Sequence, residues 1–474
     1  MNDRALRCDL CVIGAGSGGL SVAAGASQLG ANVILIERGL MGGDCLNYGC
    51  VPSKALIAAA EAAAAARRAD DFGIGLPAPQ VDMTAVRQHI ARTIAAIAPN
   101  DSVERFEGLG VRVIAATARF LSGAEVAAGD YRIAARRFVV ATGSSPALPP
   151  LPGLDQVPHF TNETIFQNSR RLPHLLVLGA GPIGLELAQA YRRLGSRVSV
   201  IELDKALARE DPELAAIVTG TLRREGVSLL EGMRVTAVGQ TAEGIRLQLS
   251  GSGEAALVGS HLLVATGRSP NVADLQLEAA GIRYDRRGIA VDRRLRSSNR
   301  RVFAIGDVAG GPQFTHVAGY HAGIVIRNAL FRLPAKVDPR VLPQALYTKP
   351  ELAQVGLREH EARQQGHAIE VLRWSFARLD RAEAERETDG LIKVVATKRG
   401  RVLGAGIVGP RASDLLQPWQ LAIAQGLKLG ALARLVPAYP SLGEANRRVA
   451  AEFYATKLFA PRTRALVRWL GRLG

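Results

Sequence analysis

An α/β protein built on two parallel-sheet domains is what this sequence predicts, and three observations carry the prediction. A short apolar run leads straight into a Gly-x-Gly-x-x-Gly turn twice, residues 8–13 into Gly14, Gly16 and Gly19, and residues 175–178 into Gly179, Gly181 and Gly184. Each turn opens a helix, 20–29 in the first copy and through Leu194 in the second, and a second apolar run then ends in an acid, Glu37 or Glu202. In both copies the acid stands 18 positions after the third glycine. Strand, glycine turn, helix, strand and acid is the order of a Rossmann-like dinucleotide site.

Each part has a physical reason. The glycines let backbone approach a pyrophosphate seated on the helix N-terminus, and the acid accepts hydrogen bonds from a ribose. Both copies are followed by an apolar strand ending in the same tripeptide, VVATGSSP with Thr142 and Gly143, and LLVATGRSPN with Gly267 and Arg268. One such turn alone is a weak signal. The duplicated arrangement implies two dinucleotides.

The totals fit this picture. A chain of 474 residues is long for one core. Hydrophobic residues at 48% and charged residues at 22% are ordinary globular values. No stretch approaches a membrane span, and the chain runs from Met1 into the apolar stretch around Val12 without a basic-plus-apolar leader, so a cytoplasmic address is expected. The net charge of +16 comes from scattered arginine, and 5% aromatic content offers no stacking platform, so no nucleic-acid partner is expected. Basic residues concentrate in the tail FAPRTRALVRWLGRLG, where Arg462, Arg464, Arg468 and Arg472 interleave with Leu466, Val467, Trp469, Leu470 and Leu473. That tail reads as a short terminal helix packed on its own protein, with weak contact to an acidic membrane surface as the alternative.

The chemistry is expected at Cys45 and Cys50, two of only four cysteines, in GGDCLNYGCVPSKAL. An ideal helix holds residues five apart about 8 to 9 Å from each other, whereas a disulfide spans roughly 4.4 to 6.8 Å. A bridge here needs a distorted backbone, which Gly42, Gly43, Asn47 and Gly49 permit, and a strained bridge is easily reduced. Two unlinked thiols are the other reading. Cys8 and Cys11 fall on the first strand, where positions three apart point to opposite faces, so they are read as core packing and as no metal site.

The cysteine pair follows the first nucleotide copy, so the first dinucleotide must exchange electrons with sulfur, which describes a flavin. The second copy then holds a nicotinamide. Glu202 favours a free 2′-hydroxyl, hence NADH over NADPH, although Lys205 and Arg209 follow closely.

By these residues the chain resembles the class I pyridine nucleotide-disulfide oxidoreductases, which include dihydrolipoyl dehydrogenase, glutathione reductase and mercuric reductase. The resemblance extends to RVFAIGDVAG, with Gly306 and Asp307, and to YTKPELAQVG, which is similar to the opening of the family's dimerisation domain. It implies two Rossmann-like dinucleotide-binding domains plus a C-terminal α+β dimerisation domain. The implied segments are 1–150 (FAD, first part), 151–272 (NAD(P)), 273–340 (FAD/central, second part) and 341–474 (dimerisation, with the basic tail). Cys50 would be the thiolate against the flavin and Cys45 the interchange thiol, with Lys54 and Glu186 an ion pair near the flavin. Cofactor binding would fall to Gly14, Gly16, Gly19, Glu37, Gly43, Thr142, Gly143, Gly179, Gly181, Gly184, Glu202, Gly267, Arg268, Gly306, Asp307, His316 and Ala318.

One segment departs from the pattern. Where disulfide reductases of the family carry a histidine and, five positions later, a glutamate that orients it, AYPSLGEAN has Tyr439 and Glu444. A phenol with a pKa near 10 is a poor proton shuttle at neutral pH beside imidazole near 6.5. Mercuric reductases resemble the chain in this tyrosine but carry a C-terminal cysteine pair, and here no cysteine follows Cys50. The expectation is an FAD enzyme that passes hydride from NAD(P)H through flavin to a Cys45–Cys50 disulfide and on to a disulfide, a metal ion or another small acceptor. Tyr439 and Glu444 would reach in from the second subunit of a homodimer. The alternatives are dihydrolipoyl dehydrogenase and a flavoprotein docking subunit with little turnover.

Overall fold

The computed structural model describes residues 4–251 and 255–472; Met1 and Leu473, both used above, lie outside that set. The chain divides into two compact units, Met1–Leu203 with Ser228–Val337, and Asp204–Val227 with Asp338–Gly474.

The first unit contains both duplicated devices. Its larger sheet uses β1 (Arg4–Ile13), β2 (Val33–Glu37), β3 (Arg112–Ala115), β4 (Ala118–Ser122), β5 (Glu125–Ala128) and β6 (Tyr131–Val140) in the order β3-β2-β1-β6-β5-β4, with Val302–Ala304 also paired to β6. The pairings among β3, β2, β1 and β6 are parallel, and β4 and β5 extend the sheet as an antiparallel meander. Parallel strands covered on both faces read as continuous apolar runs, and Leu10 to Ile13 and Val33 to Ile36 are all buried. Helix α1 (Ser17–Gln28) buries Leu20, Val22, Ala23 and Ala26 on Leu10, Val12, Val33 and Leu35. A fully buried leucine or valine contributes roughly 1.5–3 kcal/mol. The second copy is a four-stranded sheet built on His174–Leu178, with Arg197–Ile201 and His261–Val264 parallel to it on either side. Its helix is Pro182–Arg193.

Cys8 and Cys11 are packed in the core, but the argument from opposite faces fails. The amides of Asp9 and Leu10 both donate to the carbonyl of Asn32, at 2.9 and 3.2 Å. Two amides share one acceptor there, and the alternation slips by a position at that point. Cys8 joins Cys11 and Ile13 on one face, and Leu10 and Val12 take the other. A hydrogen bond with Cys8, added to burial, pushes the Cys11 thiol up.

The second unit is an antiparallel five-stranded sheet with helices around it. The helix Pro212–Arg224 belongs to it, anchored through Asp211 and Glu213, which with Glu359 surround the buried ammonium of Lys393 at 2.9, 3.1 and 3.1 Å. The tail forms the helix Pro461–Leu470, as expected, but buries none of its residues. Leu466, Val467, Trp469 and Leu470 are about half exposed or more.

Candidate active site

Both glycine turns repeat the same geometry. Gly14 has φ +106°, and a Cβ there would stand 2.5 Å from the carbonyl oxygen of Ala141; Gly179 has φ +100°, with 2.5 Å to that of Ala265. A Cβ on Gly19 would meet the oxygen of Gly14 at 1.9 Å, and one on Gly184 that of Gly179 at 2.1 Å. These four glycines are demanded by backbone against backbone. Gly16 and Gly181 differ, because nothing lies within 4 Å of where a Cβ would be. Each faces open space at a helix N-terminus, a cradle that fits a diphosphate. Beside each cradle a carboxylate is pinned by the turn, with Glu37 accepting from the Ala15 amide at 2.6 Å and Glu202 from the Ala180 amide at 2.7 Å.

The cysteine segment is stitched to the first cradle. The Gly42 amide donates to the carbonyl of Ala15, and a Cβ on Gly43 would stand 2.7 Å from Cα of Gly16. Gly42 and Gly43 have left-handed φ of +86° and +58°, so the chain turns sharply into the short helix α2 (Gly43–Asn47), which carries Cys45. Cys50 then opens the long helix α3 (Cys50–Arg67). Both are free thiols in hydrogen-bond contact. Their protonation splits. The bond to Cys50, with burial, pushes Cys45 far above the usual thiol range. Cys50 falls to about 6 because Cys45 donates to it, helped by the Thr315 hydroxyl at 3.4 Å and the Lys54 ammonium against the cost of burial. One proton shared this way leaves Cys50 as the thiolate and Cys45 as the thiol.

Lys54, one turn along α3, pairs with the buried carboxylate of Glu186 at 2.7 Å, on the helix Pro182–Arg193. Asp307 accepts from the Ser144 hydroxyl at 2.6 Å, and burial raises its carboxyl. The Gly306 amide donates to Nδ1 of His321, whose ring burial holds down to about 4. His316 stacks on Phe314 with centroids 5.3 Å apart. Ala318 packs under Gly306 and Gly18, whose Cβ atoms would meet its own at 3.2 and 3.3 Å.

The two ATG loops are joined to each other. Thr142 donates its hydroxyl to the carbonyl of Asn271, Asn271 donates its amide to Gly143, and the strands Ser144–Pro146 and Arg268–Pro270 pair antiparallel. Gly143 and Gly267 have φ of +68° and +139°. Arg268 turns into this junction, onto Ser144 and onto Asp44. Sequence reasoning missed Thr315, Ser144, His321 and Asp44, although Asp44 is the immediate neighbour of Cys45.

Tyr439 and Glu444 lie in the second unit. The Tyr439 hydroxyl donates to Asp380 at 2.7 Å, and that bond raises its pKa. Glu444 is buried, with Arg448 at 3.9 Å, so Asp380 rather than Glu444 is the carboxylate that orients the phenol. Among the described residues no cluster of metal-ligating side chains occurs and no helix is long and apolar enough to cross a membrane.

The pyridine nucleotide-disulphide oxidoreductase model matches residues 8–322, and that family's dimerisation-domain model matches residues 342–450. A mercuric reductase of Streptomyces lividans is 36% identical over 454 residues, covering 94% of this chain and 96% of the relative. A dihydrolipoyl dehydrogenase of Geobacillus stearothermophilus is 33% identical over 456 residues, covering 94% and 96%. Among solved structures, LpdA of Mycobacterium tuberculosis superposes with a TM-score of 0.86 at 26% identity over 94% of this chain and 99% of that one. The Cu(II) complex of the HOCl-induced flavoprotein disulfide reductase RclA of Escherichia coli gives 0.84 at 26% identity over 93% and 99%. With both cradles in place and most of the chain matched, the chain belongs to the pyridine nucleotide-disulphide oxidoreductase family: it is an FAD-dependent, NAD(P)H-using oxidoreductase that carries the family's dimerisation domain.

Proposed function

We propose that the Cys45–Cys50 dithiol hands two electrons to a soft metal ion or a disulfide. The observation that carries this is the protonation split on a turn stitched to the first glycine cradle. FAD, when bound, supplies the two-electron relay between nicotinamide and sulfur. The chain's own residues do the rest. Gly14, Gly16, Gly19, Glu37, Gly43, Thr142, Gly143, Gly306, Asp307, His316 and Ala318 form the FAD seat, and Gly179, Gly181, Gly184, Glu202 and Gly267 the nicotinamide seat. Lys54 and Glu186 fix a charge pair beside the thiolate.

With a disulfide acceptor RSSR, Cys45 passes its proton to the hydrogen-bonded Cys50 thiolate, the Cys45 thiolate attacks one sulfur to form a mixed disulfide, and the released RS⁻ takes that proton back from Cys50. The Cys50 thiolate then displaces the second RS⁻, which is protonated from water, and the Cys45–Cys50 bond is restored. A soft metal ion is the alternative substrate because thiolates are its preferred ligands. The RclA neighbour is described with Cu(II), which makes Cu(II) a candidate beside Hg(II), one dithiol reducing one Hg(II) to Hg(0) or two Cu(II) to Cu(I).

Tyr439 of the partner subunit, with Glu444 behind it, would face the acceptor. Its phenol is held protonated by Asp380, which counts against dihydrolipoyl dehydrogenase activity, since dithiol oxidation needs a base. The carboxylate of Glu202 repels a 2′-phosphate, favouring NADH. The four-segment division of the chain stands with this reading, as does a cytoplasmic address. The exposed basic helix Pro461–Leu470 fits weak contact with an acidic membrane surface.

The test is NADH and NADPH consumption by purified protein across lipoamide, glutathione disulfide, Hg(II), Cu(II) and quinones. Turnover through a metal ion or disulfide supports the reading. Bound flavin with negligible turnover of every acceptor contradicts it and leaves the docking subunit. Deleting the residues after Phe459 then reads the tail: co-sedimentation with anionic vesicles is expected to be lost while flavin reduction is kept.

A further inference from the structure

We propose that Asp44 and Arg268 form a charge clamp on the dithiol turn that sets how readily the Cys45–Cys50 pair is reduced, so that Arg268 is a positioning residue for sulfur rather than a ligand of the second nucleotide. This rests on the reading that these two cysteines exchange electrons.

The geometry is specific. Nη2 of Arg268 stands 3.0 Å from Oδ1 of Asp44, and only 10% of the arginine side chain is exposed. The same guanidinium donates through Nε to the Ser144 hydroxyl and through Nη2 to the Ser144 carbonyl, both at 2.7 Å, and Nε lies 3.9 Å from Oδ2 of Asp307. Its donors are thus turned toward the first unit's redox turn, although its sequence position follows the second nucleotide's ATG loop.

Asp44 in turn lies against the backbone between the cysteines. Its Oδ2 is 2.8 Å from where a Cβ on Gly49 would be, and Asn162 ties its Oδ1 to the carbonyl of Tyr48, at 3.2 Å each. A carboxylate on the residue next to Cys45, lying against the backbone between the two cysteines, disfavours the reduced, negatively charged pair unless a cation compensates it. Arg268 is that cation, one guanidinium between two carboxylates, Asp44 and Asp307. The other groups facing the thiols are Ser17, Thr315, Lys54 and Glu186.

Removing either half of the clamp therefore moves the redox balance in opposite directions. Arg268→Gln leaves the carboxylate uncompensated and shifts the pair toward the disulfide. Asp44→Asn leaves the guanidinium in excess and shifts it toward the dithiol. The double variant restores the original charge. A purely structural role gives shifts of one sign, because both variants loosen the same turn.

The experiment equilibrates the holoenzyme with fixed ratios of reduced and oxidised glutathione at one pH, alkylates free thiols and reads the oxidised fraction of Cys45–Cys50 by mass spectrometry. Each single variant is expected to change the equilibrium constant by up to about tenfold, about 30 mV for this two-electron couple, with opposite signs, and the double variant to return within about twofold. Flavin retained per chain reports folding. If Arg268→Gln does not fold, Asp44→Asn alone decides, and a shift toward the disulfide or none overturns the proposal. Shifts of the same sign overturn it, as does an Arg268→Gln enzyme with unchanged balance and a raised KM for NADH. A wild-type pair that never oxidises at any glutathione ratio fails the underlying reading instead, and is told apart by being visible without any variant.

Discussion

Replacing Lys54 with methionine keeps the length and apolar stem of the side chain and removes only the ammonium that stands 2.7 Å from Glu186. Glu186, with 7% of its side chain exposed, then loses the ammonium at 2.7 Å. Breaking a buried pair costs about 3–5 kcal/mol. Because 36% of the Lys54 side chain is open to water, screening brings the expected loss down to about 2 kcal/mol. Urea unfolding of the holoenzyme reads it as a lower midpoint. Lys54→Met with Glu186→Leu removes the carboxylate as well and is expected to recover most of the loss. A second readout is independent of stability, because the Lys54 ammonium helps hold Cys50 low. The pH midpoint for alkylation of Cys50 is expected to rise in Lys54→Met. A single variant within about 0.5 kcal/mol of wild type, or a double variant no more stable than the single, refutes the reasoning.

Three further outcomes follow from the geometry. Cys50 in the reduced protein is expected to be alkylated with a midpoint near pH 6, as a thiolate above that pH and a thiol below it. Since its pKa is depressed, its contribution to stability is complete above the unfolded thiol value, near 8.5, and is lost as pH falls toward 6; a midpoint near 8.5 contradicts the split. Gly184→Ala is expected to abolish nicotinamide binding, because the new methyl meets the Gly179 carbonyl at 2.1 Å, whereas Gly181→Ala folds normally and raises KM; isothermal titration with NADH separates the two. Lys393→Met takes the ammonium from buried Asp211, while Glu213 keeps Arg373 and Glu359 keeps Arg363, and is expected to lower the second unit's stability by about 3 kcal/mol by thermal unfolding, an unchanged melting curve counting against the cluster.

Much of the first unit was legible because its signals are local. Gly14, Gly19, Gly179 and Gly184 are forced by contacts within their own strand-turn-helix units and the adjoining ATG loops, so their spacing alone exposes them. The cysteine turn was legible for the same reason. What stayed hidden depends on pairings across the fold. Nothing in the spacing of Asp44 and Arg268, or of Tyr439 and Asp380, announces that they meet. Cys8 and Cys11 were misplaced by strict strand alternation, which the shared carbonyl of Asn32 breaks. The tail was read correctly as a helix, but a helix with arginines between leucines shows its pattern without showing how much of it is covered, and none of its residues is buried.

Electrons leave the protein through the sulfur of Cys45 in the proposed reaction. The most direct measurement is NADH-driven turnover of the best acceptor by Cys45→Ser beside wild type, with flavin bleaching by NADH followed in the same samples. Turnover is expected to fall to background while bleaching persists; an undiminished turnover contradicts the account.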